Sequence, residues 1–139
     1  MNWLIYALIS AGAAALTAIL AKIGVEGLPS NLATAIRTLV VLVFAWSISI
    51  ALGEHRTLAV VPRRSWIFLG LSGIATGVSW LAYFRALQLG PASRVAPIDK
   101  LSLPLTIVLA ATWLGEPLGW RVVTGVALMT IGALLTISR

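Results

Sequence analysis

The sequence predicts an all-α integral membrane protein with five transmembrane helices. Three features of the chain require it. Its 139 residues are 60% hydrophobic and only 10% charged, with mean hydropathy +1.02, whereas a soluble domain carries about a quarter charged residues. The apolar residues gather into long runs, and short clusters rich in Gly and Pro separate those runs. A spanning helix needs about 20 mostly apolar residues, and five segments qualify: 3–23, 32–52, 65–87, 95–114 and 118–137. Lipid offers the backbone no hydrogen-bond partner, so each segment must satisfy its own amides and carbonyls as a helix.

Taken in order, span one opens on "MNWLIYALIS". No basic residue precedes its apolar run. That run, Trp3 to Ala21, is 19 residues, longer than a secretory core, so it reads as a retained span. "GVEGLPSN" turns the chain into span two, which contains Arg37. The connector "GEHRTLAVVPRR" is the one long enough to be a real loop. Span three carries "GIATG", with Gly73 and Gly77 four apart, then Trp80, Tyr83 and Phe84. "LGPASR" leads into span four, which holds Pro97, Asp99, Lys100 and Pro104. "GEPLGW" leads into span five, where Gly125 and Gly132 stand seven apart. Pro117, with Glu116 beside it, suits the first turn of that last helix. Trp3, Trp66, Trp113 and Trp120 fall near span ends, where indole rings belt the interface.

The chemistry available is narrow. The chain has no Cys, one His and four acids, with no nucleophile–base pair, metal-ligand spacing or phosphate loop. No enzyme, metal or cofactor is expected. The net charge is +6, from eight Arg and two Lys against four acids. In a membrane protein that excess suits anionic lipid headgroups rather than nucleic acid.

An odd number of spans places the termini on opposite sides. The N-terminal side has Arg56, Arg63, Arg64 and Arg121; the other is flanked by Lys22, Arg85, Arg94 and Arg139. Four against four leaves the positive-inside rule undecided, and such a chain can insert both ways. The long loop mildly favours the N-terminal side as cytoplasmic.

Charges inside spans are costly and mark function by default. Arg37 is either a substrate contact or a long stem that snorkels to the interface. Asp99 and Lys100, as helix neighbours, point about 100° apart, so in a regular helix each needs another partner. For Asp99 that partner is Arg37 or Lys22. Pro97 and Pro104 each remove a backbone donor and are expected to kink the helix, freeing carbonyls that need a wet cavity. The other reading starts span four near Leu101 and leaves Asp99 and Lys100 among the headgroups, which makes the span short. Lys22, Arg37, Arg85, Arg94 and Lys100 all fall toward one side of the membrane, a positive patch that attracts lipid headgroups or a substrate's phosphate or carboxylate. Trp80 and Phe84 share a helix face, and with Tyr83 they can line a pocket for an apolar or cationic group. The glycine pairs serve either helix packing within the chain or a dimer face.

The stretch "YFRALQLGPASRVAPIDKLSLPLTIVLAATWLGEPLGWRVVTGVALMTIGALLTI" resembles the EamA domain of the drug/metabolite transporter superfamily. The likeness rests on the "ALQLGPAS" hairpin, the proline-bearing fourth span, the "LGEPL" turn and the Gly-rich last span, with Arg37 early in span two. It implies one EamA-type unit over residues 1–139, similar to half-size bacterial members; many relatives join two such units in one chain. A lone five-helix unit must find its second half elsewhere, and a homodimer, antiparallel if the chain inserts both ways, restores the inverted symmetry of such transporters. The heptad glycines of span five resemble the dimer face of the small multidrug resistance branch, although span one lacks that branch's membrane-embedded carboxylate. The expected function is a secondary transporter subunit in the cell (inner) membrane. It would move a small metabolite through a cavity between two protomers, with Arg37, Asp99, Lys100, Trp80 and Tyr83 as substrate-binding residues. The alternative is a non-transporting lipid-binding or accessory subunit with a different partner.

Overall fold

A computed structural model describes residues 2–137; Arg139, counted above among the flanking charges, lies outside them. The described elements are helical. They are α1 (Asn2–Gly24), α2 (Ser30–Ala51), a 3₁₀ helix (Glu54–Val60), α3 (Arg63–Leu89), α4 (Ala92–Asp99), α5 (Ser102–Trp113) and α6 (Trp120–Leu135). Four stretches are long and apolar enough to cross a membrane: α1, α2, α3 and the pair α4–α5 taken together, Ala92–Trp113. α6 is apolar but has 16 residues, so the expected fifth span is shorter as a helix than its apolar run.

The connectors show why the helices end where they do. Gly27, Gly53 and Gly115 adopt positive φ of 75°, 75° and 67°, a conformation that costs other L-residues a steric clash. Pro29 and Pro91 then hold extended backbone immediately before α2 and α4. The long loop is not open coil: its 3₁₀ helix packs back on α2. At the end of α5 the Glu116 amide reaches back to the Ala110 carbonyl at 3.2 Å, with Gly115 left-handed between them. The left-handed glycine turns the chain back on the helix, and the bond satisfies a carbonyl of its last turn. Glu116 therefore finishes α5 and does not open α6, which starts four residues later at Trp120.

Span four is broken, and Pro104 explains the position. A proline cannot donate to the carbonyl four residues back and its ring clashes there; for Pro104 that carbonyl belongs to Lys100. The chain tightens instead. Leu101 donates to the Ile98 carbonyl at 2.9 Å and Leu103 to the Lys100 carbonyl at 3.0 Å, both three-residue turns. Lys100 and Leu101 have ψ of −6° and −13°, well short of helical winding. Pro104 then lies in the first turn of α5, where its missing amide costs nothing. Pro97 lies past the first turn of α4.

Threonine hydroxyls within the spans are satisfied locally. Thr17, Thr38, Thr76, Thr106 and Thr124 each donate to the carbonyl four residues back, at 2.8 to 2.9 Å, which removes the need for a polar neighbour in lipid.

The chain divides into two compact units. One holds α1 through Ile19 together with the residues from Leu89 onward, and within it α6 packs on α4 and α5. The other spans Leu20–Gln88 and contains nearly all of the buried residues: Ala21, Val25, Ala33, Thr34, Phe84 and Leu87. They cluster in sequence at the end of α1, the start of α2 and the end of α3. Most other large apolar side chains are exposed, as expected of spans whose solvent is lipid. Trp3, Trp66, Trp113 and Trp120 are all exposed at or near helix ends, where the belt reading puts them.

Candidate functional site

In the Leu20–Gln88 unit, the end of α3 is bonded to the connector between α1 and α2. The Gln88 amide nitrogen donates to the Leu28 carbonyl at 2.6 Å and to the Val25 carbonyl at 3.2 Å. Its amide oxygen accepts from Arg85 at 3.1 Å, so the guanidinium sets which way the amide faces. Lys22 donates to the Leu87 carbonyl at 2.6 Å. That carbonyl lies in the last turn of α3, where a cation also complements the helix dipole. These bonds hold the end of α1 and the start of α2 beside the end of α3. Of the positive patch that the sequence suggests, Lys22 here joins α1 to α3 and Arg85 orients Gln88 within α3. Gln88 has no part in the sequence-based expectation. Its only signal is an amide standing alone near the end of a span, within "ALQLGP".

This junction places Arg37 opposite the aromatic residues of α3. Arg37 is seven residues into α2 and Trp80 nine residues from the end of α3, depths of about 10 and 13 Å at 1.5 Å per residue. The two meet: the guanidinium carbon is 3.2 Å from the Trp80 ring centroid and 5.9 Å from that of Phe84. Trp80 in turn packs edge-on against Tyr83, with centroids 5.9 Å apart, and tilted against Phe84 at 5.8 Å. Phe84 lies one turn nearer the end of α3 than Trp80. A snorkelling arginine would lean toward Phe84, yet the guanidinium sits on the deeper ring. Arg37 thus covers a face of Trp80, and the pocket the sequence suggests for a cationic group contains a cation of the chain's own.

Asp99 and Lys100 belong to the other unit and pair with each other, Lys100 Nζ to Asp99 Oδ2 at 3.4 Å. The expectation that each needs another partner assumes a regular helix. The tight turns at Ile98–Leu103 remove that assumption. Lys100 is exposed and Asp99 half-buried, so the pair adds little stability; its effect is to neutralise two charges in span four that would each raise the cost of insertion. Pro97 and Pro104 flank this break, as described. Gly73, Gly77, Gly125 and Gly132 meet no neighbour within their own units: a Cβ built on any of them would have nothing within 4 Å. No close helix approach inside a unit uses these faces.

A shallow cavity of about 210 Å³ lies over the junction, lined by Lys22, Val25, Glu26, Gly27 and Gln88. Among the described residues no group of His, Cys, Asp and Glu could hold a metal ion.

Comparison with known proteins gives two matches. The profile of the EamA-like transporter family covers residues 1–138. An "Uncharacterized transporter in cobO 3'region" from a Sinorhizobium sp. is 50% identical over 134 residues, 96% of this chain and 95% of that protein. No solved structure matches.

Proposed function

This chain belongs to the EamA-like transporter family, and from that premise we propose that it is a secondary transporter subunit of the cell (inner) membrane that moves a small metabolite. The observation that supports this most directly is the Arg37–Trp80 contact: a charged side chain is kept deep in a span by packing, where charge is costly unless used. The substrate path in this reading is a cavity between two copies of the chain, with Arg37, Asp99, Lys100, Trp80 and Tyr83 as substrate-binding residues.

The second copy is proposed because many family members join two five-helix units in one chain, while this chain and its relative have the length of one. The glycine faces of α3 and α6, free of neighbours within their units, suit its docking. Gly132→Leu is expected to shift a dimer toward monomer on light scattering in lipid nanodiscs, and more strongly than Gly125→Ala, because a bulky side chain separates the backbones. A native protein that is monomeric in nanodiscs would remove the second copy from the proposal.

Transport itself is tested with purified protein in liposomes. Counterflow of a labelled metabolite mixture should exceed that of empty vesicles and saturate. If the vesicles exchange nothing with the protein alone, a lipid-binding or accessory subunit with a different partner becomes the better reading.

A further inference from the structure

We infer that the solute this transporter takes is an oxyanion, a carboxylate or phosphate on a compact apolar body, received by the outer edge of the Arg37 guanidinium. The inference rests on the transporter reading for its role in transport, but the anion site stands on geometry alone. Among the described residues Arg37 makes ring contacts with Trp80 and Phe84, and no hydrogen bond or ion pair accompanies them. Of the four acids in the chain, Asp99 is paired with Lys100. Glu26 precedes α2 in the connector, while Glu54 and Glu116 lie in other loops.

A guanidinium stacked face-on to a ring uses its π surface and leaves its N–H groups pointing sideways in plane. Two parallel N–H bonds from that edge match the two oxygens of a carboxylate or phosphate. The stack also fixes the fork before the ligand arrives, so little rotamer freedom is lost on binding. A cation at this depth without a counter-ion is unfavourable, and the arriving anion supplies the missing charge. Tyr83, half-buried beside Trp80, offers ring surface to an apolar body. A second cationic group is disfavoured, because Arg37 already occupies the Trp80 face. The same oxyanion chemistry is found on a dissolved solute and on a lipid phosphate, and the test must separate them.

The probe is benzoate, with benzylammonium as its cationic counterpart. Protein in nanodiscs of phosphatidylcholine alone is titrated while tryptophan fluorescence and thermal midpoint are followed. Benzoate should bind and raise the midpoint; benzylammonium should do neither. Arg37→Gln should weaken benzoate by about tenfold or more, the scale of one charge-assisted hydrogen bond. Arg37→Lys keeps the charge but loses the fork, and should weaken it severalfold, which keeps the test open should Arg37→Gln not assemble. Equal benzoate affinity in native protein and either variant overturns the inference, as does tighter binding of benzylammonium. A parallel series in nanodiscs containing phosphatidylglycerol separates the sources. If Arg37-dependent stabilisation follows that lipid and benzoate adds nothing, the partner is a headgroup and the solute inference is overturned. Benzoate binding without liposome exchange would sink the transporter reading and leave the anion site standing. Exchange that ignores Arg37→Gln would sink the anion site alone.

Discussion

Leu87→Ala is expected to destabilise the protein by about 2–3 kcal/mol, the lower part of the range for buried leucines. Leu87 is wholly buried, with 0% of its surface exposed, and Phe84 and Val25 are nearly so at 3% and 2%. These residues fill the angle where the end of α3 meets the connector from α1. The lower part of the range applies because lipid is as apolar as leucine. Unfolding at the membrane recovers little transfer energy, so the loss is mainly contacts and the void left behind. Leu89→Ala serves as control: it lies two residues on, is exposed, and should change stability by less than about 0.5 kcal/mol. Thermal unfolding of both variants in one detergent checks the difference, and equal effects would show that this corner is not a core.

Gln88→Leu should cost about 1–3 kcal/mol and should act locally. One amide group ties α3 to both Val25 and Leu28, and Arg85 leans on its oxygen. Water can serve the Leu28 carbonyl and Arg85, which are exposed, but the Val25 bond is partly buried, and the carbonyl then keeps the longer bond from the Leu28 amide, at 3.4 Å. Gln88→Glu preserves size and the acceptor for Arg85 but cannot donate, so it should be no better. The native chain has no cysteine, which makes the readout simple. A single Leu28→Cys in the connector should react faster with a soluble maleimide when Gln88 is replaced. An unchanged rate would mean that the connector is held by packing alone.

Much of the fold is legible in the sequence because lipid leaves the backbone few options. Length and apolarity locate α1, α2 and α3 to within about two residues of their ends. Span four is harder. Its break follows from one proline and the carbonyl four residues before it; Asp99 and Lys100 mark the place, but apolar residues on both sides let the stretch read as one kinked span. Glu116–Pro117 resembles a helix start because an acid beside proline has that signature; Gly115 turning left-handed gives the pair to the end of α5 instead. Within the site, Arg37 and Trp80 each stand out, one as a charge in a span and the other as an aromatic. Their meeting is not legible, since 43 positions separate them and no periodicity links two antiparallel helices. Gln88 leaves less trace still, because a hydrogen-bonding hub has the same composition as any polar residue near an interface.

The helices of this chain are also unequal rulers. At 1.5 Å per residue, the 27 residues of α3 reach about 40 Å and the 16 of α6 about 24 Å, on either side of a hydrocarbon layer of about 30 Å. No single bilayer thickness suits both. The long helix can tilt to fit a thin membrane, but a short one can only draw the lipid surfaces inward or recruit its flanking residues toward the interface. Leu118, two residues before α6, is an apolar residue placed to extend it. Acyl-chain length therefore becomes a variable acting on this protein: short-chain lipids relieve α6, and long-chain lipids strain it and favour any association that shields its ends.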